Sequence, residues 1–238
     1  MRTLIIIPAY NEANNISTVI EDLKENYPSY DYVIINDGST DRTEDICREN
    51  GYPCINLPIN LGIGGAVQTG YKYALENGYD VAVQMDGDGQ HDPAFLDGMI
   101  KIIENDEAEA VIGSRFVEKE GFQSSATRRF GIGFLSILGK ILTGVRLKDI
   151  TSGYRMVNRN LIRIYADDYP SDYPEPEAMI MAAIHGCRIK EYPVVMRERL
   201  GGTSSINLKR SVYYMIKVSL AILVAGVHTR RKKVKNHE

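Results

Sequence analysis

The stretch VAVQMDGDGQHDP, residues 81–93, decides the fold. An apolar run ends abruptly in Asp86, Asp88 and Asp92, three carboxylates within seven positions. A short apolar run bounded by Gly and Asp reads as a buried strand that stops at a turn. The carboxylates would repel one another unless something cationic lay among them. Hard oxygen donors suit Mg²⁺ or Mn²⁺, and Mg²⁺ binds through one or two carboxylates together with substrate phosphates. The competing reading is a turn with solvated acids, since Gly and Asp favour turns. An EF-hand over 86–97 fails: His91 stands where the loop needs glycine, and Pro93 interrupts it.

Outward from that stretch the chain repeats one rhythm. TLIIIPA (3–9) reads as a strand, followed by a helix capped by Asn14 or Asn15 with Ile16, Val19, Ile20 and Leu23 on one face. YVIIN (32–36) is a second strand and CINLP a weaker third; NLGIGG then opens a helix running to about Asn77. DVAVQMD (80–86) is the fourth strand, Pro93 starts another helix at its first turn, and EAVIGS (109–114) is the fifth. Near-continuous apolar strands alternating with helices predict an α/β fold with a mostly parallel sheet covered on both faces. Beyond it, EKEGFQSSATRR reads as a mobile loop, Phe130 to Leu142 as a helix, TSGYRMVN and RIKEYPVVM as strands, and Glu177 to His185 as a helix.

In such sheets ligands lie beyond the carboxyl ends of the strands. PAYNE, NDGSTD and DGDGQHD follow the first, second and fourth strands. No G-x-G-x-x-G follows the first strand, the glycines of GIGGAV are spaced wrongly for it, and there is no P-loop. IIIPAYNE, INDGSTDRT and VQMDGDGQHDP, in that order and spacing, resemble family 2 glycosyltransferases of the GT-A fold, from residue 3 to about 115. The resemblance implies inverting transfer from a nucleotide-sugar, with Mg²⁺ or Mn²⁺ as cofactor. By position, Pro8, Ala9, Tyr10 and Glu12 would line the nucleoside, and Asp37 would accept a hydrogen bond from the base. Asp86 and Asp88 would hold base, sugar and metal, Asp88 nearest the ion, with Gln90 also approaching it. Ile63 stands where many relatives carry Lys or Arg, so a phosphate contact there would fall to backbone N–H groups around Gly62 at the helix start. A merely tight strand–helix turn is the other reading of those glycines.

After residue 113, GSRF, ATRRFG, DITSGYRM and RLGGTSS narrow the resemblance to the polyprenyl-phosphate branch, similar to dolichol-phosphate-mannose synthase. It implies that Arg115, Arg128 or Arg129, Arg155 and Arg199 bind donor diphosphate and acceptor phosphate. Guanidinium forks suit phosphate. Ser205 departs from the Lys that relatives often carry. If the acceptor were a hydroxyl of a lipid-linked glycan, Glu177 or Asp149 could be the general base; a lipid phosphate, already anionic, needs one less. Asp149 could instead pair with Arg155, and Glu175 and Glu177 could simply suit a helix start. His91 reads as a neighbour of the metal loop and His185 as a helix-end residue.

The composition, 44% hydrophobic and 25% charged over 238 residues, fits one globular unit with a sizeable core. Three scattered cysteines, Cys47, Cys54 and Cys187, fit neither a disulfide framework nor a zinc site and predict reduced thiols in a cytoplasmic protein. The net charge of −3 hides an asymmetry: residues 199–238 carry nine basic residues and one acid. From Val212 to Val227 the only charge is Lys217, a run shorter than the ~20 apolar residues of a membrane span. We therefore expect a catalytic domain over 1–207 and, over 208–238, an amphipathic, membrane-interfacial helix with a basic tail. That predicts a protein peripheral on the inner membrane face, with a small membrane protein as a further partner. Nothing in the pattern favours nucleic acid. A nucleotide-sugar-binding scaffold without turnover is the non-enzymatic alternative. A UDP-sugar is the expected donor.

Overall fold

The computed structural model describes residues 1–117, 126–172, 174–197 and 219–220, with only the backbone for 126–130. Seven strands form one sheet: β1 (Thr3–Ala9), β2 (Asp31–Asn36), β3 (Cys54–Asn56), β4 (Val81–Gln84), β5 (Ala110–Ser114), β6 (Arg155–Asn158) and β7 (Ile189–Pro193). Their order is β3-β2-β1-β4-β6-β5-β7. Neighbours run parallel except β6, which is antiparallel to both β4 and β5. The helices are α1 (Ile16–Asn26), α2 (Thr43–Glu49), α3 (Gly62–Glu76), α4 (Leu96–Glu104), α5 (Ala126–Thr143), α6 (Arg159–Asp167) and α7 (Pro174–Ile184).

The strand period of two divides β1 between two cores. Leu4 and Ile6 join α3, α5, α6 and α7 on one face, and Ile5 and Ile7 join α1, α2 and α4 on the other. Each fully buried isoleucine contributes about 1.5–3 kcal/mol of hydrophobic stabilisation. Helix α3 lies very close to the sheet: a Cβ on Gly70 would sit 2.2 Å from Ile6 Cγ2.

The chain leaves β1 toward β2 on one side and returns as β4 on the other. The crevice at the carboxyl ends of β1 and β4 is therefore the switch point where such sheets bind ligands. Because β6 is antiparallel, the loop preceding it, Asp149–Tyr154, arrives at that same edge. TSGY is loop rather than strand, since Ser152 turns back to give its hydroxyl to Gly113 O at 2.6 Å. Helix α5 begins at Ala126, inside the stretch through Arg129 that was expected as loop; residues 118–125 lie outside the described residues. Helix α7 starts at Pro174, ahead of Glu177, and α6 was not anticipated. Yet Asn158 caps α6 through its side chain, and Leu161, Ile162, Tyr165 and Ala166 form a buried face that a helical period would have found. The expected C-terminal helix and the boundary at 207 lie outside the described residues, apart from helical Ser219 and Leu220. The three cysteines are free thiols.

Candidate active site

Two loops form one side of the crevice, tied together by short polar side chains. Asn11 adopts a left-handed backbone, φ 56°, which Asn tolerates better than most residues. Its Oδ1 accepts from the Thr40 N–H at 2.8 Å and the Asp41 N–H at 3.3 Å, while its own N–H donates to Ser39 Oγ at 2.9 Å. Glu12 N–H donates to Thr43 Oγ1 at 2.9 Å and Ala13 N–H to Asp41 Oδ2 at 3.1 Å. Burial works against charge on Asp41, yet the hydrogen bonds from Thr43 and Ala13 outweigh it and hold the carboxyl below its ordinary range. Pro8 and Ala9 end β1 in the interior, and Tyr10 is half exposed at the surface of this floor.

Asp37 is buried and occupied. Its two oxygens accept the Leu61 and Gly62 N–H groups at 2.7 and 2.9 Å. Burial raises its pKa, and these two amides oppose the rise. The amide of Gly64 donates to Ser171 O at 3.2 Å. Amides 61, 62 and 64 at the start of α3 are thus engaged within the protein, so Gly62, expected near a phosphate, gives its own N–H to Asp37. The glycines there serve packing: a Cβ on Gly64 would lie 2.1 Å from Pro170 O. Gly62 has φ +80°, which favours glycine.

The acidic loop follows β4 and crosses toward this floor; a Cβ on Gly87 would touch Pro8 O at 3.4 Å. Asp86 is about one-third exposed and accepts from Gln84 Nε2 at 3.3 Å. Asp88 is buried and its Oδ1 accepts the Gln90 N–H at 3.0 Å. His91 closes the loop: its Nδ1 accepts the Asp86 N–H at 2.9 Å, which places the ring proton on Nε2, 3.8 Å from Asp86 Oδ2. The ring stacks on Tyr154 at 4.9 Å, and the Tyr154 hydroxyl donates to Asp92 O at 2.9 Å. Gly153 comes down on the same loop, where a Cβ would stand 3.5 Å from Asp86 Oδ2.

The arginines divide. Arg115 is nearly buried and grips Asp149, which is fully buried, through Nε and Nη2, each at 2.7 Å. Asp149 therefore pairs with Arg115 and not with Arg155. Glu191 accepts the Lys148 and Asp149 N–H groups, each at 2.8 Å, and so fixes the segment from outside. Arg155 points inward, 1% exposed, and donates to Ser152 O at 2.6 Å and Ile150 O at 3.0 Å. It holds the loop above it through these bonds, and its Nη1 is buried without a hydrogen-bond partner among the described residues. Glu177 sits with Glu175 in the first turn of α7, half-buried, where acids favour the helix dipole. The side chains of Arg128 and Arg129, and all of Arg199, lie outside the described residues.

Residues 4–165 match the family described as Glycosyl transferase family 2. The chain belongs to that family. It is 32% identical over 216 residues to the undecaprenyl-phosphate mannosyltransferase of Micrococcus luteus, covering 87% of this chain and 88% of that one. It is 33% identical over 210 residues to the UDP-N-acetylglucosamine–dolichyl-phosphate N-acetylglucosaminyltransferase of Methanococcus voltae, covering 80% and 83%. In fold it is similar to glucosyl-3-phosphoglycerate synthase of Mycobacterium tuberculosis, solved with Mn²⁺, UDP and phosphoglyceric acid, with a TM-score of 0.70 at 18% identity over 94% of this chain and 78% of that one. The architecture is thus GT-A, and the chain is a glycosyltransferase of the polyprenyl-phosphate branch.

For a family 2 glycosyltransferase the donor set of the acidic loop fits a divalent ion. Asp86 and Asp88 offer hard oxygens on one turn, and beside them Gln84 Oε1 is buried without a partner. Among the described residues no three acidic, His or Cys groups form a closed site, so an ion here would draw its remaining ligands from diphosphate, water or an amide such as Gln90. Sequence reasoning missed Asn11, Ser39, Asp41 and Thr43, although loop Asn, Asp, Ser and Thr after strand ends are a signal for such lacing. It also missed Gln84 and Gly153.

Proposed function

We propose that this glycosyltransferase moves a sugar, with inversion, from a nucleotide-sugar to a polyprenyl phosphate at the cytoplasmic face of a membrane. The observation that carries the choice of acceptor is the Asp149–Arg115 pair. A hydroxyl acceptor needs a general base; of the two candidates Asp149 has both oxygens committed to Arg115, which leaves only Glu177 in the first turn of α7. A phosphate acceptor is anionic at neutral pH and attacks without one. Its oxygen forms a new bond to the sugar's anomeric carbon as the bond to the donor's diphosphate breaks, with the electron pair leaving on the nucleoside diphosphate.

On this reading Tyr10, Pro8, Ala9 and Glu12 bound the nucleoside, and Asp37 offers its remaining lone pairs to the base while fixing α3. Asp86, Asp88 and Gln90 would hold Mg²⁺ or Mn²⁺, which as a Lewis acid neutralises charge on the departing diphosphate. Arg115, oriented by Asp149, lies at the end of β5 on the side where the acceptor must arrive, and Arg128, Arg129 and Arg199 are its expected partners there. Arg155 acts from below, holding the Ile150–Gly153 loop against Asp86.

Helix α5 supports contact with a membrane surface. Phe134, Ile137 and Ile141 are 48%, 62% and 69% exposed along it. Residues 126–148 carry five basic residues and no acid. Apolar side chains flanked by cations suit an anionic interface. Among the described residues no helix is long and apolar enough to cross a membrane. A UDP-sugar is the donor we would try first, because the Methanococcus voltae relative is named for one.

The test is the product. Purified protein is incubated with Mg²⁺, labelled UDP- and GDP-sugars in turn, and vesicles containing either undecaprenyl phosphate or a lipid-linked glycan. We expect label on undecaprenyl phosphate, released by mild acid as the free monosaccharide, as a sugar phosphodiester releases it. Label on the lipid-linked glycan alone, released by mild acid only as part of a larger saccharide, would establish a sugar–sugar bond and overturn the phosphate acceptor.

A further inference from the structure

We infer that Arg197 is a positioning residue for the acidic loop, a strut that sets how tightly that loop takes a divalent ion with its nucleotide; this rests on the site assigned above. The residue lies just beyond β7, and three contacts tie it down. Its backbone N–H donates to Gln90 O at 2.9 Å. Its Nη1 donates to Asp22 Oδ2 on α1 at 2.9 Å, and its Nη2 to Asp92 Oδ1 at 2.8 Å. One side chain thereby bridges helix α1 and the loop that carries Asp88 and Gln90.

A cleft of about 230 Å³ opens beside the loop, lined by residues including Val19, Asp22, Met85, Gly89, His91 and Arg197. On that side the loop is tied to the rest of the protein by discrete polar contacts. His91 secures its start at Asp86, and Tyr154 secures its end at Asp92. Arg197 alone among these ties reaches both Gln90 and Asp92 and anchors them to α1. An isolated surface ion pair contributes little. A guanidinium fork shared by two carboxylates differs, since its planar geometry fixes the separation of the groups it joins.

The test uses the full chain without acceptor. Mn²⁺–UDP affinity is measured by calorimetry, and amide hydrogen exchange over Asp86–Asp92 is measured in the ligand-free protein. In Arg197→Met we expect faster exchange confined to that loop and Mn²⁺–UDP binding weaker by about tenfold or more, the usual scale for groups that support metal ligands. Arg197→Lys should recover part of the affinity, because an ammonium meets one carboxylate at a time. Asp22→Asn, which breaks only the arm to α1, should weaken binding roughly threefold and carries the test if Arg197→Met does not fold. Affinity and loop exchange at wild-type levels in these variants, even with a lowered melting temperature, would overturn the inference and leave the site intact. Failure of the unaltered protein to bind Mn²⁺–UDP would remove the site, and the inference with it.

Discussion

The two sides of the crevice are built differently. On the donor side, loops after β1 and β2 are joined by redundant hydrogen bonds among Asn11, Ser39, Thr40, Asp41 and Thr43, each short and local to a strand end. On the proposed acceptor side, the buried ion pair between Arg115 and Asp149 links segments 34 residues apart, with Thr151, Ser152 and Glu191 bonded around it, beside a helix with an apolar exposed stripe. A nucleotide presents many fixed polar edges, and the side proposed to receive it offers a floor laced by short polar bonds. A polyprenyl phosphate presents one charged head on a long apolar chain, and the side proposed to receive it has one oriented arginine and a surface suited to lipid. Short local bonds on one side and a buried charged pair on the other should give different responses to substitution.

The largest effect is expected at that pair. Arg115→Met leaves a fully buried carboxylate unpaired and should destabilise the fold by about 3–5 kcal/mol, read by chemical denaturation. Adding Asp149→Leu to it should restore much of the stability without restoring transfer. A single variant costing under 1 kcal/mol would erase the contrast between the two sides. Next, Ile137→Glu with Ile141→Glu should lower flotation with anionic vesicles by about tenfold or more, given roughly 1.5–3 kcal/mol for an apolar side chain of this size when fully buried. Unchanged flotation would remove α5 from the membrane contact. The smallest effect lies in the donor floor. The Asp41 carboxyl is held below its ordinary range, so its contribution is present above the unfolded carboxylate range near pH 4 and is lost as pH falls below it. Asp41→Asn should cost about 1 kcal/mol at pH 7 and flatten the acid limb of stability against pH. An acid limb identical to that of the unaltered protein would show that Asp41 does not lace the loops.

Legibility in the sequence followed the range of the interactions. Strands β1, β2, β4 and β5 were readable because each is buried on both faces, so apolar runs betray them without knowledge of partners. The places of the acidic loop and of the loops after β1 and β2 were readable because they fall directly after those strands, whereas the lacing by Asn11, Ser39, Asp41 and Thr43 was not. What failed was pairing at a distance. An arginine carries the same letter whether it faces a phosphate, as expected of Arg155, or the carbonyls of Ser152 and Ile150, as observed. Asp149 pairs with Arg115 rather than its sequence neighbour Arg155 because β6 runs antiparallel beside β5, a register the local pattern does not encode. Nothing in the local sequence singles out Arg197, since neither Asp22 nor Asp92 is near it along the chain.

The central claim is that the loop after β4 holds a divalent ion against the donor's diphosphate. It is tested most directly by titrating UDP into the protein with and without Mn²⁺, for the unaltered chain and for Asp88→Ala. We expect Mn²⁺ to tighten UDP binding by about tenfold or more in the unaltered chain, and to have no effect in Asp88→Ala, with both proteins folded and melting alike. Equal tightening by Mn²⁺ in Asp88→Ala would contradict the assignment.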